Sequence, residues 1–272
     1  RKGIAMSQKI LFFDIDGTLT DEKTGEIPAS AHRAVEAVRR AGHLVFINTG
    51  RVECMVKPVL EKISVDGVLC GCGTQVILDN QTIWQQRIPR ERGIEIKKNM
   101  EKYRIEAILE AQQGIYFPAR PFRHGQVLEN AFKAFQTMWP TFDNAYARED
   151  FDFDKFVIWT DPKNPMEDKQ GFFQTISDFT IIDRGQGMYE CVPENVSKGS
   201  AIDMMLERYQ IAPENAYVFG DSGNDLSMFT SVAKNRILMG EHDPILEPHA
   251  TFVTKNASDD GIDYAIKTLE IV

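Results

Sequence analysis

Two aspartates, one residue apart, close an apolar run near the start of the chain: Lys9-Ile10-Leu11-Phe12-Phe13-Asp14-Ile15-Asp16-Gly17-Thr18. In extended backbone, side chains at i and i+2 point the same way. Two carboxylates so close repel unless a cation lies between them. Oxygen-only acidic ligands suit a hard ion such as Mg²⁺, so metal-assisted chemistry is the first expectation. The plain alternative is a capped turn, which Asp and Gly also favour. Two later apolar runs end in similar fashion, Leu44–Ile47 in Asn48-Thr49-Gly50-Arg51 and Ala216–Phe219 in Gly220-Asp221-Ser222-Gly223-Asn224-Asp225. Lys198 stands just ahead of a helical stretch. Carboxylates, a metal, one hydroxyl and one lysine are the composition of a phosphoryl-transfer site.

Such residues need a scaffold that gathers them. Near-continuously apolar runs without alternation read as parallel strands buried on both faces, and open α/β sheets place their chemistry beyond the strands' carboxyl ends. Pro28 to Ala41 carries Ala31, Ala34, Val35, Ala37 and Val38 at helical spacing between the first two runs. Pro28 suits a helix start and Gly42 a helix stop. A β-α-β unit makes its strands parallel and adjacent. Val52 to Ile63 is predicted as a helix interrupted by Pro58, Asp66 to Cys70 as a short strand, and Gln75 to Trp84 as a hairpin turning at Asp79-Asn80. The fold class expected is α/β: a Rossmann-like, doubly wound parallel sheet.

Around Gln86 to Arg92 charged helix formers break the rhythm. The middle is predicted as helix 92–111, strand 114–117, helix 129–138, strand 155–160, helix 166–176 and strand 179–183, a compact α+β unit inserted in the larger one. Phe122, Phe132, Phe135, Trp139, Phe142, Phe151, Phe153 and Phe156 are its expected core. From Tyr189 the α/β rhythm resumes, with helix 201–209, strand 216–219, helix 226–230, strands 236–239 and 251–254, and helix 261–269. The expected domains are therefore residues 1–88 with 188–272 as core, and 89–187 as the insertion.

Bulk properties narrow the function classes. The 272 residues are 43% hydrophobic and 26% charged, ordinary for a globular chain with a sizeable core. No run of eighteen apolar residues suggests a membrane span. A net charge of -9, without a basic block, argues against a nucleic-acid surface. Cys54, Cys70, Cys72 and Cys191 match neither a disulfide framework nor a zinc knuckle and are expected as free thiols. The five histidines show no metal spacing. Arg1 to Gln8 lacks the apolar core of a secretory signal, and a cytoplasmic protein is expected.

Asp14-Ile15-Asp16-Gly17-Thr18 resembles the first motif of the haloacid dehalogenase superfamily, Asn48-Thr49-Gly50-Arg51 the second, Lys198 the third and Gly220 to Asp225 the fourth. Their order and spacing match, the insertion of about a hundred residues (89–187) resembles the class II cap of Cof-type phosphatases, and Asp259-Asp260-Gly261-Ile262 to Leu269 is similar to a Cof-type ending. The resemblance implies that Asp14 is the nucleophile that becomes an aspartyl-phosphate, and that Asp16 is the general acid and base. It further implies Mg²⁺ on the Asp14 carboxylate, the Asp16 carbonyl and Asp221. Phosphate would be held by Thr49, Gly50, Lys198, Asn224 and the backbone at Ile15, with Asp225 orienting Lys198 or metal-bound water. The implied activity is Mg²⁺-dependent hydrolysis of a small phosphomonoester, with a sugar phosphate favoured. A sugar phosphomutase is the alternative, and a non-catalytic binding protein of the same fold is a third reading. Arg120 and Arg123 are candidate selectors of the leaving group, whereas Arg51 is open between a salt bridge and substrate contact. Met239-Gly240-Glu241-His242 departs from the Asn-Ala that many Cof-type chains carry after Met-Gly, which weakens any substrate role there.

Overall fold

A computed structural model describes residues 7–160 and 168–272. Part of the predicted signal-free start (residues 1–6) and the first residues of the predicted helix at Met166 lie outside the described residues. The chain divides into two compact units, one made of the described residues up to Gly50 with Pro58–Trp84 and Ser197–Val272, the other of Arg51–Lys57 and Gln85–Val196.

The first unit begins with β1 (Ile10–Phe13), α1 (Ala29–Arg40) and β2 (Leu44–Asn48); α2 (Glu53–Leu60) runs from the second unit back into the first at Pro58, and β3 (Gly67–Cys70), β4 (Gln75–Leu78) and β5 (Gln81–Gln85) follow. α1 buries Ala31, Ala34, Val35 and Val38, the stripe that its 3.6-residue spacing creates. β1 and β2 pair in parallel from Ile10↔Leu44 to Phe13↔Ile47, and β4 turns back antiparallel on β3. The hairpin turn falls on Asp79 and Asn80, both at positive φ, a conformation these residue types tolerate better than most.

In the second unit, α3 (Arg90–Lys102) leads to β6 (Glu106–Ala111), β7 (Gly114–Tyr116), α4 (Gln126–Met138), β8 (Thr141–Phe142), β9 (Lys155–Trp159), α5 (Lys169–Gln174), β10 (Phe179–Gly185) and β11 (Met188–Pro193). They form a sheet in the order β10-β11-β9-β6-β7-β8. The predicted helix 92–111 is therefore corrected: it stops near Lys102, Arg104 takes φ 60°, and Glu106-Ala-Ile-Leu-Glu-Ala111 is an interior strand. Its residues favour helix by propensity, but tertiary contacts override them. Glu110 meets buried Lys155 at 2.6 Å, and Lys155 also meets Glu190 at 2.7 Å. The alternate residues Ala107, Leu109 and Ala111 join the core with Phe153, Phe156 and Phe172. β11 is the second correction. Residues 188–196 stay with the inserted unit because β11 pairs with both β10 and β9, so the chain returns at Ser197 rather than at 188.

Asp154 is 3% exposed, and burial pushes its carboxyl from 3.8 up to about 6. A carboxyl raised by folding contributes stability that is complete below its unfolded pKa and is lost as pH rises through its folded one. Asp154→Asn is therefore expected to stabilise the protein by roughly 2–3 kcal/mol at pH 8 and to be neutral near pH 4. Urea unfolding at the two pH values checks this.

The chain re-enters the first unit with α6 (Lys198–Tyr209), β12 (Ala216–Gly220), α7 (Leu226–Phe229), β13 (Asn235–Leu238), β14 (Phe252–Val253) and α8 (Gly261–Thr268). The first sheet then reads β14-β13-β12-β1-β2-β3-β4-β5, parallel from β14 through β3. Phe12, Phe46, Val218, Ile202, Met205, Met228 and Phe229 pack into one core beside it. β1 lies between β12 and β2, fully buried. Among the described residues, no helix is long and apolar enough to cross a membrane, and all four cysteines are free and buried.

Candidate active site

Three neighbouring parallel strands, β12, β1 and β2, end on one edge of the first sheet. That topology carries Asp221, Asp14 and Thr49 to the same edge, although they are up to about two hundred positions apart in sequence. The Asp14 amide donates to the Phe219 carbonyl at 3.1 Å, which fixes β1 against β12 one step before the aspartate side chain. Lys198 opens α6, whose N-terminus is closed by a capping box between Ser197 and Ser200. From the end of β2, the Asn48 amide donates to the Lys198 carbonyl at 2.9 Å.

Lys198 is the centre of the group. Its Nζ lies 2.7 Å from Asp14 Oδ1 and 2.7 Å from Asp225 Oδ1, and all three side chains are buried. The other Asp225 oxygen accepts the amides of Asp221 (2.9 Å) and Ser222 (3.1 Å). One carboxylate thus shapes the turn after β12 and anchors the lysine. Asp221 Oδ1 accepts the Thr18 hydroxyl at 2.7 Å. Two glycines make room: a Cβ on Gly17, which has φ +79°, would sit 2.5 Å from Asp221 Oδ2, and one on Gly220 would sit 2.6 Å from Asp225 Oδ2.

Carboxylate oxygens of Asp14, Asp221 and Asp225 lie within 4.8 Å of one another. Burial pushes Asp14 up to about 7, helped by the charges of Asp225 and Asp16 and opposed by Lys198. Burial likewise pushes Asp221 up to about 8, with Asp14 and Asp225 adding to it. Lys198 is drawn down by burial, yet its two carboxylate partners outweigh that and hold it above its ordinary range. Three buried carboxylates against one lysine leave the group short of positive charge, and the donors are all oxygens. That set fits a hard divalent cation.

Of the sequence-expected residues, the structure gathers Asp14, Asp221, Asp225 and Lys198. Asp16 is exposed on the turn after β1 and stands outside the carboxylate trio, where Asp225 is found. Its backbone pairs with Thr20 in a short bridge. Ile15 is buried, and its carbonyl accepts the Thr20 amide at 2.8 Å. Thr49 is buried, with its amide on the Leu69 carbonyl at 2.9 Å, and Gly50 follows it, half-buried. Asn224 is 8% exposed and accepts the Ser222 hydroxyl at 2.8 Å. Arg51 and Arg120 have structural partners in the second unit, Arg51 over the Trp139 ring and Arg120 with Glu129 and Phe132. The Arg123 amide is held by buried Glu106 at 2.7 Å.

Two residues went unassigned at the level of sequence. Thr18 belongs to the first motif, but its hydroxyl finds Asp221 only across 203 positions. Asn48 ends an apolar run and reads as a turn residue, yet it is fully buried and tethers Lys198. Asn48→Ala would remove the side-chain donor to that carbonyl, a loss of about 0.5–1.5 kcal/mol for one hydrogen bond. The expected result is turnover reduced about tenfold with a moderate drop in urea midpoint, read from paired kinetic and unfolding curves.

A profile of haloacid dehalogenase-like hydrolases matches residues 11–266. YkrA of Bacillus subtilis, which carries the name of a candidate phosphatase, is 29% identical over 267 residues, covering 98% of this chain and 100% of that one. The 5-amino-6-(5-phospho-D-ribitylamino)uracil phosphatase YwtE of the same organism is 28% identical over 289 residues, covering 96% and 98%. Among solved structures, a protein of Geobacillus kaustophilus superposes with a TM-score of 0.83 at 25% identity, covering 98% of this chain and 100% of that one. A subclass IIB sugar phosphatase of the haloacid dehalogenase superfamily superposes with a TM-score of 0.81 at 25% identity, covering 97% and 100%. The profile begins one residue into β1 and ends within α8, so it takes in every strand end described above, and the chain belongs to the haloacid dehalogenase-like hydrolase family.

Proposed function

We propose that the protein is a Mg²⁺-dependent phosphatase that hydrolyses a small phosphomonoester, a sugar phosphate being the favoured class, through an aspartyl-phosphate on Asp14. The observation that carries this reading is Asp14 beyond a parallel strand, held at one oxygen by buried Lys198, with Asp221 and Asp225 beside it. Lys198 orients the carboxylate through Oδ1, while Oδ2 has no protein partner among the described residues and is the atom assigned to attack phosphorus.

Attack by Asp14 forms an O–P bond as the ester P–O bond breaks, and Asp16 protonates the departing alcohol oxygen. Asp16, now a carboxylate, takes a proton from water, and that water displaces Asp14 to release inorganic phosphate. An exposed position lets Asp16 reach both the leaving group and solvent water. Lys198, the Thr49 hydroxyl, Asn224 and the backbone at Ile15 and Gly50 are assigned to the phosphoryl oxygens, and Asp225 keeps Lys198 in place. Asp14, Asp221 and the Asp16 carbonyl would hold Mg²⁺, which when bound supplies charge neutralisation and polarises the P–O bonds. The inserted unit is assigned the choice of leaving group. A cytoplasmic setting and a substrate free of nucleic acid suit the charge of -9. The names of the relatives, a pyrimidine phosphatase and a sugar phosphatase, support small phosphorylated metabolites as the substrate class.

The test is release of inorganic phosphate from sugar phosphates and other small phosphomonoesters, with Mg²⁺ and with EDTA. Free phosphate that appears only with the metal supports the reading. An isomerised sugar phosphate without free phosphate would mean transfer, and no turnover of any ester would defeat catalysis.

A further inference from the structure

We propose that the second unit contains, entirely from its own residues, a binding site for a small zwitterion of the amino-acid class. A cavity of about 220 Å³ is lined by the charged side chains of Arg87, Arg90, Asp150, Asp152 and Asp154 together with Gln112, Gln113, Tyr116 and Phe151. This lies below the usual range for drug-sized pockets and suits a compact ligand. Three of these charges are already paired: Arg90 is 2.9 Å from Asp152, and Asp150 is 2.8 Å from Arg148, which lies outside the lining.

Two opposite charges are left over. Arg87 donates to the Gln112 side-chain oxygen at 2.9 Å and meets no carboxylate among the described residues. Asp154 is buried, accepts the Gln85 amide at 3.2 Å through Oδ1, and has no protein partner for Oδ2 among the described residues. The guanidinium draws Asp154 down only partly against its burial, and the two form no ion pair. A lone anion would satisfy Arg87 but face Asp154, and a lone cation would do the reverse. A molecule carrying both charges on neighbouring atoms neutralises each side chain at once. The lining is predominantly polar, and Tyr116 and Phe151, whose rings stack at 3.7 Å, supply its small apolar part, which suits a ligand with a short side chain.

Burying a carboxylate without full pairing is costly, and sites kept at such a cost are commonly those that bind something. The place also has a mechanical meaning. Gln112 accepts the Cys54 amide on its carbonyl at 3.0 Å and Arg87 on its side chain, so residues 51–57 and 85–88 of this unit are both fastened at the β6–β7 turn.

The experiment is calorimetric titration of the full-length chain with the set of protein L-amino acids, with acetate and methylammonium as single-charge probes. Expected are saturable binding of at least one small amino acid, no binding of either single-charge probe at the same concentration, and about tenfold or greater weakening in both Arg87→Gln and Asp154→Asn. Arg87 is exposed, so its variant tests the site without threatening the fold. The proposal is overturned if no amino acid binds, if a single-charge probe binds equally well, or if either variant binds like the parent.

Discussion

Asp14→Asn is expected to fold as the parent does and to release essentially no phosphate, a loss of at least about 10⁴-fold in turnover. The amide keeps the shape of the carboxylate and its oxygen can still accept from Lys198, now 2.7 Å away. What disappears is the anionic oxygen proposed to form the new bond to phosphorus. Stability is expected to hold or to rise at neutral pH, because burial already pushes this carboxyl up to about 7 and its ionised form is the expensive one. Phosphate release and urea unfolding, measured on the same preparation, separate the two effects. A residual rate within tenfold of the parent would remove Asp14 from the nucleophile's role whatever the unfolding curve shows.

Lys198→Met is expected to fail in both respects. Methionine fills a similar volume but strands Asp14 and Asp225 without the cation that lies 2.7 Å from each. Removing one partner of a buried charge pair typically costs about 3–5 kcal/mol, and here one lysine serves two buried carboxylates. Turnover is expected to fall about 10²–10³-fold or more, since a preorganised charge at the transferring group is lost. The stability deficit should shrink as pH falls, because protonation removes the uncompensated charge, and grow as pH rises. Unfolding curves of parent and variant from acid to neutral pH test that sign. A deficit independent of pH would mean that Lys198 acts by packing rather than by charge. Together the pair distinguishes chemistry from architecture: one variant should lose only turnover, the other turnover and fold stability.

The strands that position this site were legible because burial on both faces demands continuous apolar residues. Ile10–Phe13, Leu44–Ile47 and Ala216–Phe219 are recognisable as such from their residues alone. The polar residues at their ends stood out for the same reason. Asp14, Thr49 and Asp221 each follow a run that has no other use for a polar side chain. The inserted unit was harder. Glu106 to Ala111 has the residues of a helix, and nothing local reveals that Glu110 faces Lys155 from a neighbouring strand. β11 pairs with β10 through the local turn at Gln186-Gly187, but its other partner, β9, ends nearly thirty positions earlier, and that pairing is what keeps residues 188–193 in the inserted unit.

Sequence alone determined the α/β class, the residues that could do chemistry and the edge on which they meet, because periodicity and strand-end position are local properties. Only tertiary structure decided which of them touch. It joined Lys198 to Asp14 across 184 positions and Thr18 to Asp221 across 203, placed Asp225 beside Asp14 and Asp221, and left Asp16 exposed on its turn. The reason is physical: a carboxylate's partners and its proton affinity depend on what burial brings within a few ångströms, and spacing along the chain does not encode that distance.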